Sequence, residues 1–335
     1  ICYTYDWSNG TISNPITNTT HTINGLSLGN YDCRIFDANG CNTLSSNVTI
    51  SQPSTALTSD VLYIDSVNCL NGQDGGAEVE GIGATPPYTY LWSNGQTGSV
   101  LSGVAAGTYI CTITDDTLCT TTDTVIIHEP STSVSASIVG LVDSVTCFGG
   151  NDGSAEVLAS GSTPAYSYSW NTSPVQLGPV LSGVTAGTYT CDILDYNNCS
   201  TSQSVTIEEP NVLQSALTNL SSYVGGWNVS CNDTNNGFAT VQASGGTPTY
   251  SYSWSNGQSG QNLQNVVAGI LYTCIITDQY GCTELVPFTV TLTEPDPLTI
   301  SLSPVDITCN GGSNGSVTAT ISGGTPSYTY DWSNG

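Results

Sequence analysis

Cysteine is the reactive residue that this sequence repeats most regularly. Three sets of cysteines recur around one tryptophan, the first set 23 residues before the tryptophan and the third set eight residues after the second. Thiols at fixed spacing form disulfides or hold metal ions. The first set is Cys69, Cys147, Cys231 and Cys309; the second is Cys33, Cys111, Cys191 and Cys274; and the third is Cys41, Cys119, Cys199 and Cys282.

Disulfide chemistry fits these cysteines better than zinc binding. The sequence has no Cys-x-x-Cys pair, and its histidines, His21 and His128, stand at unrelated positions in the repeat. Structural zinc sites need closely spaced cysteine and histidine ligands. We therefore expect disulfides, and with them an oxidising, extracellular location.

The second and third cysteines of a copy are close in sequence but poorly placed for a disulfide. Cys33 and Cys41 flank the turn 37–40. In a four-residue hairpin turn Cys41 would pair with Phe36, about three residues or ~10 Å out of register with Cys33. A disulfide needs Cα atoms within about 7 Å of each other. The third cysteine is therefore expected to bond elsewhere.

Strand alternation favours a disulfide between the first and second sets. Val67 and Cys69 share one face of a predicted strand, Cys111 shares a face with Tyr109 and Ile113, and both faces are expected to point inward. The predicted disulfides are Cys69–Cys111, Cys147–Cys191 and Cys231–Cys274. The remaining Cys41, Cys119, Cys199 and Cys282 are then either free or bonded to a neighbouring domain or chain.

An aspartate stands between the second and third cysteines of every copy. An aspartate that begins a turn accepts backbone N–H groups, and we interpret the four as turn residues. Calcium binding is the alternative, with Asp74 and Asp152 as further ligands. Asn236 and Asn314 hold the corresponding places in other copies, so we predict no cofactor and keep calcium as the alternative. The four turn aspartates are Asp37, Asp115, Asp195 and Asp278.

These residues belong to a repeat that also contains Tyr-x-Tyr-x-Trp and closes with Gln-Pro or Glu-Pro. Self-similarity at a fixed period indicates an array of like domains. The octapeptide Tyr-Thr-Tyr-Asp-Trp-Ser-Asn-Gly opens at residue 3 and again at residue 328. The predicted domains are a half repeat at 1–53, whole repeats at 54–130, 131–210 and 211–295, and a half repeat at 296–335.

Short alternating segments predict an all-β fold. In 54–130 the first predicted strand is Val61–Cys69, Trp92 lies on the third, and Tyr109 precedes Cys111 on a late strand, as in a tyrosine corner. The predicted fold class is a linear array of tandem immunoglobulin-like β-sandwich domains. We expect the Tyr-x-Tyr-x-Trp face to pack in the core rather than to stack on sugars. Trp227 lies outside the repeat and is the better candidate for exposure.

The charge balance excludes several partners. Arg34 is the one basic residue among Lys and Arg, against 26 acidic residues, and the formal net charge is −25. Nucleic acid needs cations that the chain lacks, and anionic membranes repel it. Insertion into a membrane is not expected, because no apolar run approaches ~18 residues. No catalytic constellation recurs, so we do not expect an enzyme.

Three motifs carry a resemblance to a known family. They are Cys-Asn-Gly-Gly-x-Asn-Gly-Ser at 309–316, Gly-Gly-Thr-Pro-x-Tyr-x-Tyr-x-Trp-Ser-Asn-Gly at 245–257, and Ala-Gly-Thr-Tyr at 106–109. Together they resemble the SprB-type repeat of giant surface adhesins in gliding Bacteroidetes. The resemblance implies a secreted, immunoglobulin-like array at the cell surface that acts in adhesion or gliding. It also implies a rival disulfide, Cys69–Cys119, because the family commonly keeps those two cysteines.

The resemblance further implies glycosylation. Bacteroidetes attach O-glycans to Asp-Ser/Thr-aliphatic triplets, and four such triplets occur here. The implied acceptors are Ser66, Thr117, Thr124 and Ser144.

The expected function is a structural segment of an extracellular filament or adhesin stalk. An array of carbohydrate-binding or calcium-binding modules, with surface glycans as partners, is the alternative. The residues before the two octapeptides differ, Ile1-Cys2 at the first and Pro326-Ser327 at the second, as in different repeats of one long protein. We therefore expect the polypeptide to continue on either side. Completion of one half repeat by a neighbouring chain is the other arrangement. In both arrangements the chain is its own partner, head to tail.

Overall fold

The computed structural model describes residues 3–334, which form strands, turns and loops without a helix. Within that range no helix could cross a membrane. The chain folds as two compact units, residues 1–133 and 134–335.

The first unit opens with an incomplete set of strands. Strands β1, β3 and β4 form one sheet in the order β1-β3-β4, and β2 pairs with β5. Their bounds are β1 (Thr4–Trp7), β2 (Gly29–Tyr31), β3 (Cys33–Phe36), β4 (Asn42–Leu44) and β5 (Val48–Ile50).

A complete β-sandwich follows in the first unit. Its six strands form two antiparallel sheets, β6-β7-β9 and β11-β10-β8. These are the A-B-E and C-F-G sheets of an immunoglobulin-like domain, and we use those strand letters below. The strands are β6 (Thr58–Asp65), β7 (Gly75–Ile82), β8 (Thr89–Trp92), β9 (Val100–Val104), β10 (Gly107–Thr114) and β11 (Thr120–Ile127).

The second unit repeats this arrangement twice and then adds a two-stranded ribbon. Its sheets are β12-β13-β15, β14-β16-β17, β18-β19-β21, β20-β22-β23 and β24-β25. The first sandwich has β12 (Ser135–Asp143), β13 (Gly153–Ser160), β14 (Ser167–Trp170), β15 (Val180–Val184), β16 (Gly187–Leu194) and β17 (Ser200–Ile207). The second has β18 (Gln214–Leu220), β19 (Gly237–Ser244), β20 (Ser251–Trp254), β21 (Asn262–Val266), β22 (Leu271–Thr277) and β23 (Phe288–Thr291), and the ribbon is β24 (Thr299–Val305) with β25 (Ser316–Ser322).

The predicted fold class is confirmed, but the first strand is displaced from its prediction. Strand A of 54–130 is Thr58–Asp65 rather than Val61–Cys69. Val67 lies beyond it and is buried, whereas Cys69 lies in the loop between strands A and B. Because Cys69 lies outside the sheet, the alternation of side chains along strand A does not tell which way its side chain points.

The repeated tryptophan lies at the centre of each complete sandwich. Trp92 and Trp170 are 1% exposed, and Trp254 is 2% exposed. The Trp92 indole N–H donates to the Gly98 carbonyl oxygen at 3.0 Å, so its polar atom is satisfied inside the core. The predicted packing of the Tyr-x-Tyr-x-Trp face in the core holds for these three tryptophans.

The late tyrosine forms the predicted tyrosine corner. The Tyr109 hydroxyl donates to the Ala105 carbonyl oxygen at 3.0 Å, and Tyr189 donates to Thr185 at the same distance. Tyr272 and Tyr31 make the corresponding bonds to Val267 and Ser27. This bond fixes the entry into strand F, and strand F carries the second cysteine.

We predict that Tyr109→Phe weakens the 54–130 sandwich by about 1 kcal/mol, because it removes a part-buried hydrogen bond and keeps the ring. Hydrogen exchange of the β10 and β11 amides in the whole chain measures the loss. Tyr63→Phe is the control, since that side chain is exposed on β6. Unchanged β10 protection in Tyr109→Phe would contradict the role of the corner.

Candidate functional site

A disulfide connects two consecutive sandwiches in the second unit. Cys147 in the A–B loop of 131–210 bonds to Cys282 in the F–G turn of 211–295, with an S–S distance of 2.01 Å and Cα atoms 5.6 Å apart. The Cys282 Sγ also lies 3.4 Å from the Thr146 carbonyl oxygen. Cys282 thus takes the inter-domain alternative that was open for the third cysteine of each copy.

An aspartate two residues after the Gly-Gly of the A–B loop closes that loop beneath Cys147. Asp152 accepts the backbone N–H of Thr146 at 3.0 Å and the Thr146 hydroxyl at 2.5 Å. Asp74 makes the same contacts with Asn68. In the other copies an asparagine side chain accepts the backbone N–H and donates its amide N–H to the hydroxyl, Asn236 with Ser230 and Asn314 with Thr308. The position therefore shapes the A–B loop.

The glutamate of the Glu-Pro motif holds the same loop from the other side. The Glu209 carboxylate accepts the backbone N–H of Gly149 at 2.7 Å, and Glu294 accepts that of Asp233 at 2.9 Å. Glu129 binds the backbone N–H of Asn71 in the same way. Sequence reasoning treated Glu-Pro only as the end of a repeat. Its position 60 to 63 residues after the first cysteine of each copy was the signal that could have indicated this role.

The turn aspartate orients the F–G cysteine. One carboxylate oxygen of Asp278 accepts the backbone N–H groups of Tyr280 at 3.0 Å and Cys282 at 2.9 Å. The other oxygen accepts the Thr247 N–H of the B–C loop at 2.8 Å. Because both oxygens are engaged, the carboxylate fixes the turn to the body of the domain.

The same arrangement occurs in the other copies. Asp115 accepts the N–H groups of Thr117, Cys119 and Thr85, and Asp195 accepts those of Asn197, Cys199 and Thr163. Asp37 accepts the N–H groups of Asn39 and Cys41. No cluster of acidic, cysteine and histidine side chains that could hold a metal ion occurs within residues 3–334.

Burial and hydrogen bonding act on these carboxylates in opposite directions. Burial by itself raises the pKa of Asp115, whose side chain is 3% exposed. The Cys119 N–H, the Thr117 hydroxyl and the Thr85 N–H favour the charged form, and the pKa is lowered overall. The pKa of Asp195 is lowered as well, with burial again opposed by hydrogen bonds.

The predicted disulfides within a domain are wrong. Cys111, Cys191 and Cys274 are buried free thiols, while Cys69 and Cys147 are disulfide-bonded and Cys231 is an exposed free thiol. The rival Cys69–Cys119 is wrong too, because Cys119 is an exposed free thiol. The first cysteine of each copy lies in the A–B loop, so the alternation of side chains along a strand does not determine its disulfide partner.

The second cysteine instead packs as a small apolar residue. Cys111 pairs across the sheet with Trp92 and has no exposed surface. Its burial raises the pKa to about 11, and that of Cys274 to about 11 as well. A thiol with so high a pKa is almost entirely protonated at neutral pH and reacts slowly.

The other cysteines of the first and third sets are either disulfide-bonded or exposed free thiols. Cys199 is disulfide-bonded. Among residues 3–334 the exposed free thiols are Cys41, Cys119, Cys231 and Cys309.

The structure places the implied glycan acceptors at the surface. Ser66, Thr124 and Ser144 are exposed, and Thr117 is exposed although its hydroxyl donates to the Asp115 carboxylate at 2.9 Å. Trp227 is half-buried rather than fully exposed, beside Gly225 and near Thr325 of the following half repeat.

The family profile of the SprB repeat matches four stretches of the chain, residues 63–97, 141–175, 228–259 and 301–335. Three matches begin within strand A and the match at 228–259 begins in the A–B loop, and each ends shortly after the repeated tryptophan. The chain therefore contains four SprB repeats, and the resemblance found in the motifs is confirmed. None of the curated proteins compared with the chain matches it.

Solved structures of several consecutive domains resemble the chain loosely. The three N-terminal domains of the outer capsid protein Hoc of bacteriophage RB49 share 14% identity, with 72% of this chain and 95% of that chain covered and a TM-score of 0.32. Immunoglobulin domains 1–5 of Sidekick-1 share 13% identity, with coverages of 87% and 73% and a TM-score of 0.28. Scores this low add nothing to the strand order, on which the fold assignment rests.

We predict that replacing Asp115 and Asp195 together by asparagine flattens the acid dependence of thermal stability. Their pKa values are lowered on folding, so their contribution is complete above the ordinary value of 3.8 and is lost as the pH falls through the lower folded value. Melting temperatures of the whole chain between pH 5 and pH 2 measure the effect. The exposed Asp60→Asn variant should keep the steeper wild-type dependence, and equal slopes in all three proteins would contradict the assignment.

We predict that native alkylation with iodoacetamide separates two classes of thiol. Cys41, Cys119, Cys231 and Cys309 should react at pH 7.5, while Cys33, Cys111, Cys191 and Cys274 should react only after unfolding, since they are buried. Peptide mapping without reduction should recover Cys147 joined to Cys282. A peptide that joins Cys147 to Cys191 would restore the pairing predicted from strand parity.

Proposed function

We propose that this chain, with its four SprB repeats, is a structural segment of an extracellular filament or adhesin stalk at the cell surface. The observation that carries the proposal is the disulfide between consecutive sandwiches, Cys147–Cys282. A protein whose task is chemistry needs a convergent reactive site, whereas a stalk needs its domains held in line. The loop and the turn that Asp152, Glu209 and Asp278 shape meet at this junction.

The junction supports a mechanical role. A short linker follows strand G of 131–210 and leads into 211–295. The disulfide adds a second covalent connection between these two domains, through cysteines that are 135 residues apart in sequence. Two connections between the same pair of domains limit bending and twisting far more than one linker does. Under tension, the disulfide also carries load that would otherwise fall on the hydrogen bonds of strands A and G.

The surface chemistry supports an extracellular location. A net charge of −25 keeps neighbouring segments apart and soluble. Oxidised Cys147 and Cys282 need an oxidising compartment, where secreted proteins fold. SprB repeats occur in cell-surface proteins, which agrees with this location.

The alternative functions find less support in the side chains. The Asp115, Asp195 and Asp278 carboxylates accept backbone N–H groups of the F–G turn and of the B–C loop, and these bonds compete with calcium. The tryptophans of the complete sandwiches are buried, so they offer no flat face to a sugar. Surface glycans, if bound, would contact a part of the parent protein other than these cores.

The location is tested on intact cells of the organism that encodes the chain. Gold-labelled antibodies against residues 54–295 should decorate surface projections, and deletion of the gene should reduce attachment to surfaces or gliding. Labelling that appears only after the cells are opened would refute the proposal.

We predict that the double variant Cys147→Ser, Cys282→Ser makes the domain junction more flexible while its sandwiches stay folded. Small-angle X-ray scattering of the whole chain should show a broader distribution of interatomic distances. The control is Cys41→Ser, Cys119→Ser, which removes two exposed free thiols. Identical scattering of the two variants would mean that the disulfide does not restrain the junction.

A further inference from the structure

The disulfide Cys147–Cys282 lies outside the cores of the two sandwiches that it connects. The core of 211–295 contains Trp254, and Cys282 is not among the residues that form that core. Cys147 lies in the A–B loop, beyond the last residue of β12, Asp143. Opening this bond therefore removes no side chain from a strand or from that core, and we expect both sandwiches to stay folded without it.

The A–B loop keeps its shape where its cysteine is not bonded. The A–B loop of 211–295 carries an exposed free thiol, Cys231. Asn236 and Glu294 hold this loop through the same two backbone N–H positions that are bound in the loop of Cys147. The hydrogen bonds of the loop, rather than the disulfide, therefore determine its conformation.

The F–G turn behaves in the same way. Cys119 is an exposed free thiol in 54–130, and its backbone N–H donates to the Asp115 carboxylate at 2.8 Å. The Cys282 N–H donates to Asp278 at 2.9 Å although its sulfur is bonded. Because neither the loop nor the turn needs the disulfide, the two cysteines should keep their places after reduction and be able to form the bond again.

A cleft of about 320 Å³ leads to the disulfide. Phe148 and Leu285 line it together with both cysteines, and they are 49% and 79% exposed, so the cleft is open to solvent. A cleft of this size admits a small molecule. Cys282 is 9% exposed and Cys147 is half-buried, so an incoming thiol meets the bond on the Cys147 side.

A hydrogen-bond acceptor lies beside the sulfur that such an attack would release. The Cys282 Sγ is 3.4 Å from the Thr146 carbonyl oxygen. A thiol is a weak donor, and a carbonyl oxygen can accept its proton. Reduced Cys282 thus has a partner already in place at the edge of the A–B loop.

We propose that Cys147–Cys282 is a reversible crosslink, which a small external thiol opens in the folded protein by attack on the Cys147 sulfur. The proposal rests on the function above, in which this bond restrains the junction between 131–210 and 211–295. Oxidation then stiffens the junction, and reduction loosens it while both sandwiches stay folded.

Opening takes two thiol–disulfide exchanges. The thiolate of an external thiol attacks the Cys147 sulfur, the bond to Cys282 breaks, and the Cys282 sulfur leaves as a thiolate and takes up a proton. A second external thiol attacks the external sulfur of the mixed disulfide and releases the Cys147 thiolate. Two external thiols are oxidised to one disulfide while the two cysteines are reduced, and that external disulfide is the oxidant when the bond closes.

The first test measures how fast 2-mercaptoethanol reduces this bond in the whole chain. Samples are quenched with N-ethylmaleimide, and the Cys147 and Cys282 peptides are followed by mass spectrometry. We expect the rate to rise in proportion to the thiol concentration over a range of at least about tenfold, because the thiol attacks the folded protein. A rate that stops rising with thiol concentration would overturn the proposal, since reduction would then wait for a sandwich to unfold.

Hydrogen exchange in the same samples shows whether the sandwiches remain folded. The amides of β13 and β22 should keep their protection after the Cys147–Cys282 bond is reduced. Loss of that protection would also overturn the proposal. In that case the disulfide is a fixed part of the fold, and the stalk function is still judged separately by the surface labelling.

A matched pair of variants tests the side of attack. Cys282→Ser leaves Cys147 as a thiol, and Cys147→Ser leaves Cys282. Iodoacetamide should modify Cys147 at least about tenfold faster than Cys282, because Cys147 is the more exposed of the two. Equal rates would contradict attack at Cys147.

The route through the cleft is tested by two neighbouring positions. Leu285 lines the cleft, whereas Val286 is equally exposed and does not line it. Leu285→Trp should slow reduction by 2-mercaptoethanol because the larger side chain narrows the cleft, and Val286→Trp should leave the rate unchanged. If both variants are reduced at the wild-type rate, the thiol does not enter through this cleft and the proposed attack is wrong.

Discussion

A buried carboxylate at the F–G turn is the interaction on which the junction between repeats depends. Asp278 is 5% exposed and binds backbone N–H groups on its own turn and on the B–C loop. A buried charge is tolerated only when such donors surround it, so the turn has little freedom to adopt another shape. Because Cys282 is itself one of the donors, the carboxylate sets the position of the sulfur that reaches the neighbouring domain.

An immunoglobulin domain is commonly stabilised by a disulfide between its two sheets. In the second unit of this chain, the disulfide Cys147–Cys282 instead connects two domains. Strand F keeps a buried cysteine, Cys111, but the facing strand B contributes Ala77 and Val79 to the same core. The thiol therefore acts as a small apolar side chain beside Trp92. Each sandwich then relies on its tryptophan, its tyrosine corner and its packing, and the disulfide in the second unit is used between domains.

Packing inside each sandwich and a disulfide between sandwiches are what an array of consecutive domains that transmits force would need. In an array, a disulfide within a domain protects that domain, whereas a disulfide between domains changes the stiffness of the whole. The acidic, nearly cation-free surface acts in the same direction, because like charges resist lateral collapse.

The sequence alone determined the repeat, the strand content and the core. Alternation and the recurring Trp92 position predicted a sandwich, and Tyr109 two residues before Cys111 predicted the tyrosine corner, because these patterns are local. The turn role of Asp115 also followed from its place after a strand. Each of these properties depends on neighbours within a few residues or within one domain.

The tertiary structure alone decided the partners of the cysteines. Parity could assign a direction to Cys69 only if it lay in a strand, and strand A ends at Asp65. Cys147 and Cys282 are 135 residues apart and meet only because two domains are placed against each other. The loop that carries Cys147 is shaped by contacts such as those of Asp152 and Glu209, and loop contacts leave no periodic signal in the sequence.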